Sequence, residues 1–312
     1  MDIATRPDSL VYAEHPSDII ERAAALIAAA RPFCLITSLA IEGGAAREVG
    51  SLAVVDGNGA MTGYLSNGCI DRDIQLQARA ALEAGQATVI RYGEGSRYAD
   101  LKLPCGGALV VLIDPNPDHA ALLAAAEDLA ARRPVRLTFQ GPDDTDDRAF
   151  TYTPRHRLVL AGRGAIFRSM AQIGLATGYD LHLLSPDTED LEAVGHLSSA
   201  PAQHLTTPTS VPNMSMLDAY SAFLTLFHDH DWEPSLLKAA LETPAPFIGS
   251  LGSRRTHMLR LDALAEMGVP EAALTRLRGP IGLVPSLRDA SSIAVSALAE
   301  IVGAFQTTRV DA

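Results

Sequence analysis

R-L-V-L-A-G-R-G-A-I-F-R-S-M-A-Q-I-G, residues 157 to 174, sets an apolar run against Gly162 and Gly164 and then turns to a helical pattern. Strand, glycine turn and helix in that order open a dinucleotide-type βαβ unit, in which the helix start faces a phosphate. One feature departs from G-x-G-x-x-G: Phe167 stands where the third glycine belongs, and a side chain of that size is expected to push helix and strand apart. The next strand, Y-D-L-H-L-L, ends at Ser185, where an NAD-specific fold usually offers an acid to the ribose, and Asp187 follows two positions later. The stretch therefore predicts an α/β fold with a doubly wound parallel sheet and only weak NAD(P) binding.

Towards the C-terminus, A-F-L-T-L-F (222–227) reads as a buried strand with His228, Asp229, His230 and Asp231 at its carboxyl end. In an open parallel sheet those ends line the ligand crevice, so His228 and Asp229 are candidates for positioning a ligand. Consecutive residues converge poorly on one metal ion, and helix capping also accounts for the two aspartates. P-A-P-F-I-G-S-L-G-S-R-R-T-H (244–257) repeats the strand, turn and helix order. Gly249 and Gly252 permit a tight turn there, and Ser253 can cap a helix running through Met258, Leu261, Leu264 and Met267. Arg254 and Arg255 add guanidinium forks suited to phosphate or carboxylate oxygens, which makes this corner an anion-binding candidate. R-L-R-G-P-I-G-L (276–283) is a turn-rich loop, and Asp289–Phe305 is an amphipathic helix through Ile293, Val295, Leu298, Ile301 and Val302.

Towards the N-terminus, Ser17–Ala30 is an alanine-rich helix stopped by Pro32 before the apolar run F-C-L-I-T-S-L-A-I. Cys34 within that run reads as a small buried hydrophobe. A glycine-rich loop containing Arg47 precedes S-L-A-V-V-D and A-M-T-G-Y-L, which flank the hairpin signal Gly57-Asn58-Gly59. The second of these runs into S-N-G-C-I-D and a helix. Cys69 in the first turn of that helix would meet its positive end, as a nucleophile or soft ligand, while Asp71 and Asp73 work against such activation. Cys105, in P-C-G-G before A-L-V-V-L-I, sits where a ligand or another backbone can approach closely. Simple packing is the competing reading for both thiols. Asp118–Arg132 is a helix and Val135–Phe139 a strand, and the acidic turn-rich G-P-D-D-T-D-D-R marks a boundary between Gly141 and Arg157. Two domains are expected, 1–145 and 146–312.

The net charge of -12 argues against a general nucleic-acid or anionic-membrane binder, since neutralising phosphates needs a clustered basic face. No apolar run approaches the ~20 residues of a membrane span, and Asp2, Arg6, Pro7 and Asp8 stand where a signal peptide needs an apolar core. A cytoplasmic location follows as the expectation. The 3 cysteines form neither a disulfide framework nor a CxxC site, so reduced thiols are expected. The oligomeric state stays open, a homo-oligomer included.

Taken together, S-N-G-C-I-D, P-C-G-G, T-P-A-P-F-I-G-S-L-G-S-R-R-T and G-P-I-G-L, in this order and spacing, resemble the XdhC/CoxI family, the xanthine dehydrogenase accessory proteins. The resemblance runs from about residue 17 to residue 303. Asn67 and Asp71 depart from the family's S-G-G-C-x-E. The resemblance implies an N-terminal XdhC/CoxI-type mixed α/β domain and a C-terminal Rossmann-like domain. It also implies a chaperone without turnover of its own. Such a chaperone binds the molybdenum cofactor, as molybdopterin or its dinucleotide form, and protects it while a terminal sulfide is installed. It then passes the cofactor to a molybdenum hydroxylase of the xanthine dehydrogenase type, with a cysteine desulfurase as the sulfur-supplying partner. On this reading Cys69 and Cys105 serve the molybdenum end of the cofactor, and Gly162, Gly164, His228, Asp229, Gly249, Gly252, Ser253, Arg254 and Arg255 serve its anionic part. The competing classes are an NAD(P)-dependent oxidoreductase and a scaffold that binds only a client protein.

Overall fold

The computed structural model describes residues 8–44, 46–66, 68–96, 107–142, 147–229 and 231–310. The chain divides into two compact units, Met1–Pro154 and Arg155–Ala312. The first unit runs β1 (Leu10–Val11), α1 (Pro16–Ala28), β2 (Phe33–Glu42), β3 (Leu52–Asp56), β4 (Met61–Gly63), α2 (Asp71–Ala84), β5 (Thr88–Gly93), β6 (Ala108–Asp114) and α3 (His119–Ala130), then β7 (Val135–Phe139) and β8 (Arg148–Tyr152). β8 lies beyond the expected 145/146 boundary and pairs antiparallel with β7, so the hairpin they form belongs to this unit.

The main sheet of the first unit has the order β1-β4-β3-β2-β6-β5, antiparallel except for the parallel pair β1 and β4. Side chains alternate across it with the period of two that a strand dictates. Phe33 and Leu35 of β2 pack under α1, α3 and the hairpin, whereas Cys34 and Ile36 pack under α2. With both faces covered, β2 reads in sequence as one unbroken apolar run. The turn between β3 and β4 is held by Asp56, which is 1% exposed. Its carboxylate accepts from the Asn58 and Ala60 amides at 2.9 and 3.2 Å and from Arg22 and Arg31 at 3.2 and 3.1 Å.

The second unit contains β9 (Arg157–Gly162), α4 (Gly164–Ala176), β10 (Asp180–Ser185), α5 (Thr188–Val194), β11 (Gln203–His204), β12 (Ser221–Leu226), α6 (Glu233–Leu241), β13 (Phe247–Ser250), α7 (Arg254–Glu266), α8 (Glu271–Leu274), β14 (Leu277–Arg278) and α9 (Ala290–Val310). Its sheet is entirely parallel, in the order β11-β10-β9-β12-β13-β14. Leu158 and Leu160 of β9 face the layer of α4, α5 and α9; Val159 and Ala161 face that of α6 and α7. This is the doubly wound arrangement that the glycine turn of residues 162–164 foretold.

Two helix faces differ from expectation. Phe167 does not hold α4 off the sheet: it is fully buried within the α4 layer, and the close approach that the third glycine would have allowed is made later in the helix, at Gly174. Gly174 stands seven residues, about two turns, after Phe167, and a Cβ there would stand 2.9 Å from Leu158 and 3.0 Å from Leu181. In α9 the core face is Ala294, Ala297, Leu298, Ile301 and Phe305, while Val295 and Val302 are exposed, because alanines extend the buried stripe where larger residues were read as its edge.

Arg157 and Asp180 lie opposite one another in the β9–β10 register and pair at 2.7 Å; Arg157 also reaches the Met216 carbonyl at 2.9 Å. Burial alone would push the Asp180 carboxyl up, but hydrogen bonds from His182, Ser199 and Arg157 and the Arg157 charge hold it well below the usual carboxylate range. A depressed folded-state pKa contributes stability that is complete above the unfolded value, near pH 4, and is lost as pH falls further. We expect Asp180→Asn to lower stability at pH 7 by about 2 kcal/mol and the gap to shrink towards pH 3. Urea midpoints of both proteins at the two pH values check this, and a gap of equal size at both would rule out the ionic origin.

Candidate functional site at the carboxyl edge of the parallel sheet

Parallel pairing sets Gly162 opposite Leu226 and Thr225 opposite Ser250, so the segments after β9, β12 and β13 leave the sheet at one edge. Gly162, Gly164, His228, Asp229, Gly252, Ser253, Arg254 and Arg255 all lie along it. The winding reverses between β9 and β12, which is where doubly wound sheets open their ligand crevice. Gly162 lets the strand ends close up, since a Cβ there would sit 2.7 Å from Leu226. Gly164 adopts φ +80° with nothing within 4 Å of the Cβ position. Between them Arg163 forms an ion pair with Asp229, whose Oδ1 is buried without a partner. His228 is exposed, and His230 lies outside the described residues. Among the described residues no group of three or more His, Cys, Asp or Glu side chains gathers as metal ligands.

Gly249 has a different role from the one expected. It belongs to β13 rather than to a turn, and its missing side chain makes room for Ile281, whose Cγ2 would stand 2.6 Å from a Cβ. The turn itself is made at Gly252, with φ +139°, a conformation in which a Cβ would also meet Thr256 at 3.1 Å. Ser253 caps α7, its Oγ accepting from the Thr256 amide at 3.1 Å. Arg254 and Arg255 follow, both exposed, and no acidic residue stands in the first turn of α7. Cations at the positive end of a helix are unfavourable unless an anion joins them. The helix face matches the reading at Leu264, which is buried, and at Leu261, which packs against the core, but not at Met258. Met258 and Leu259 are 57% and 59% exposed, and the residues that α7 buries are Arg260 and Leu264.

Arg260 belongs to a buried polar network that residue patterns did not disclose. Its Nε and Nη2 donate to Glu233 Oε2 at 3.0 and 2.8 Å, and Nη2 also reaches the Leu251 carbonyl at 2.8 Å. Glu233 Oε1 accepts from Thr225 and Ser250 at 3.0 and 2.8 Å. Arg260 Nη1 and His257 Nδ1 are buried without a hydrogen-bond partner. Burial, and then the Arg260 charge, lowers the His257 pKa and favours the neutral ring. The available signal was Arg260 at helical spacing, i to i+4, from Leu264.

The thiol loop belongs to the first unit. Cys69 lies two residues before the start of α2, outside its first turn, and is exposed. Asp71 organises the loop: its carboxylate accepts from the amides of Leu65, Ser66 and Gly68 at 2.8, 3.2 and 2.6 Å and from Ser66 Oγ at 3.0 Å. The Tyr12 hydroxyl stands 3.6 Å from the Cβ position of Gly68. Tyr12 packs edge-on against Tyr64, and the Arg47 guanidinium covers the other ring at 4.8 Å. Cys105 lies outside the described residues. Cys34 is buried, its Sγ 3.2 Å from the Ala78 carbonyl. A groove of about 570 Å³ lined by Met214, Leu217, Asp218 and Glu242 lies at the amino ends of β12 and β13, opposite the edge that carries these groups.

Fold and site define a two-unit α/β protein with a Rossmann unit. Residues 158–301 match the XdhC Rossmann domain, and residues 26–93 match the XdhC and CoxI family. The chain is 32% identical over 310 residues to the molybdenum cofactor insertion chaperone PaoD of Escherichia coli, covering 95% of this chain and 91% of that protein. The chain belongs to the XdhC and CoxI family. The Escherichia coli protein YqeB is 24% identical over 250 residues, spanning 80% of this chain and 39% of YqeB. A Bacillus halodurans crystal structure described as a xanthine dehydrogenase has the same fold, with a TM-score of 0.74 at 18% identity, covering 92% of this chain and 96% of that one.

The two described thiols should react differently. Burial, and then the Asp114 charge, pushes Cys34 up to about 12. At pH 8 that leaves on the order of one thiol in 10,000 ionised, in addition to its lack of access. With iodoacetamide and peptide mass spectrometry we expect Cys69 to be alkylated in the native protein and Cys34 only after denaturation. Alkylation of Cys34 at the rate of Cys69 would contradict the buried placement.

Proposed function

We propose that this chain is a molybdenum cofactor chaperone without turnover of its own. It binds the cofactor, shields it while a cysteine desulfurase supplies the terminal sulfide, and delivers it in the cytoplasm to a molybdenum hydroxylase of the xanthine dehydrogenase type. The relationship to an insertion chaperone over nearly the whole chain supports the class. The observation that carries the ligand chemistry is the α7 corner. There two exposed arginines, a glycine turn and a serine cap surround a helix start that lacks an acidic residue. Molybdopterin carries a phosphate and its dinucleotide form carries two, and helix amides with guanidinium forks suit either. Below the turn the unpartnered Nη1 of Arg260, whose charge is paired with Glu233, adds a free N–H donor. The bound cofactor would supply a molybdenum centre, a soft metal matched by thiolates, and we assign Cys69 and Cys105 to its protection.

We expect mass spectrometry of anaerobically purified protein, co-expressed with cofactor biosynthesis, to find the cofactor non-covalently bound. Arg254→Ala and Arg255→Ala should weaken its binding by about 1.5–3 kcal/mol at whichever arginine makes the charge-assisted contact and little at the other. Added salt should weaken wild type more than the critical variant, since the screened pair is already missing there. Folded variants that both keep wild-type affinity would make the corner a structural turn. Protein purified with no cofactor under these conditions would remove the chaperone reading.

A further inference from the structure

The start of α4 follows the first glycine turn of the parallel sheet, and in dinucleotide-binding folds its amide groups receive the pyrophosphate. In this chain the Gly164 amide donates instead to Asp190 Oδ2 at 2.6 Å, and Asp190 Oδ1 accepts from Nε of Arg168 on the same helix. Asp190 is 1% exposed and comes from the first turn of α5. That turn is fixed by Asp187, whose carboxylate accepts from the Glu189 and Asp190 amides at 2.9 and 3.3 Å. One oxygen of Asp187, the acid that follows β10, is thereby engaged in capping α5. No side chain crowds the Gly164 Cβ position within 4 Å. The amide donor is occupied, and the carboxylates of Asp190 and Asp229 stand on two sides of the glycine turn.

We infer that Asp190 closes the start of α4 to a pyrophosphate: its carboxylate is an internal anion in the seat that a dinucleotide would take at this first glycine turn. An incoming pyrophosphate has to displace a buried carboxylate from both Gly164 and Arg168 while being repelled by its charge. Asp190 thus determines specificity by exclusion, and this holds whether or not the α7 corner carries a molybdenum cofactor.

The test uses the full chain and ADP-ribose as the probe, which carries both pyrophosphate and ribose, with binding read by calorimetry and folding by thermal unfolding. Asp190→Ser frees the Gly164 amide and should bind ADP-ribose at least tenfold more tightly than wild type, a gain that shrinks with added salt. Asp190→Asn removes the charge but keeps the size and one acceptor oxygen, and should gain less than Asp190→Ser. Should Asp190→Ser not fold, the double change Arg168→Ser with Asp190→Ser removes the ion pair as a unit and carries the same expectation. Two outcomes overturn the inference: a folded serine variant that binds the probe no more tightly than wild type, or a gain that added salt leaves unchanged.

Discussion

The carboxyl edge of the parallel sheet depends on one buried ion pair, Glu233 with Arg260, whose side chains are 1% and 3% exposed. Two charges taken from water are tolerable only when their remaining donors and acceptors are met. Glu233 meets this condition by spending one carboxylate oxygen on Thr225 and Ser250 and the other on Arg260. Four elements are thereby tied at one point: the ends of β12 and β13, the start of α6 and the second turn of α7. Removal of a single partner would strand the other charge, a loss of about 3–5 kcal/mol in comparable buried pairs. Because Arg260 also holds the Leu251 carbonyl, the turn at Gly252 is fixed from beneath, and a turn fixed in advance costs a ligand less ordering on binding.

Along the same edge, two helix starts are treated in opposite ways. At α4 an internal carboxylate with an arginine partner neutralises the positive end. At α7 the positive end is joined by Arg254 and Arg255, with no acidic residue in the first turn. In a chain of net charge -12 such a local excess of cations is selective by position, since anions are repelled by the molecule at large and attracted at one place. The glycine turn that names the fold is therefore not the turn best suited to phosphate.

The doubly wound sheet was legible because strand, glycine turn and helix recur along the chain with periods that only backbone geometry has to satisfy. β12 is fully buried, and its run is apolar but for Ser221 and Thr225, whose hydroxyls find internal partners. On α7 the place of Arg260 was not legible, since Met258 satisfies a helical period with Leu261 and Leu264 as well as Arg260 does, and periodicity cannot tell that a guanidinium has a buried carboxylate waiting. Gly249 misled for a related reason. A glycine adopting positive φ and a glycine yielding space to Ile281 look the same in sequence. Asp190 was invisible because its partner Gly164 lies 26 residues away, and only the sheet order brings the two together.

The thiol loop of the first unit shows how a side chain shorter than the family's glutamate can still organise its site. Asp71 begins α2 and is fully buried, and its carboxylate gathers three loop amides and a hydroxyl that would otherwise be left without partners. Short reach is what brings those donors onto the two oxygens, so the loop is drawn tight against the helix start. The start of α2 has no side-chain cap and carries Asp71 and Asp73 in its first turn, and Cys69, two residues before Asp71, is left exposed on the loop. A thiol presented in this way is selected by position and access rather than by a helix dipole. Asp71 therefore matters to the loop through its reach and its charge together, since an ionised acceptor strengthens each of those hydrogen bonds.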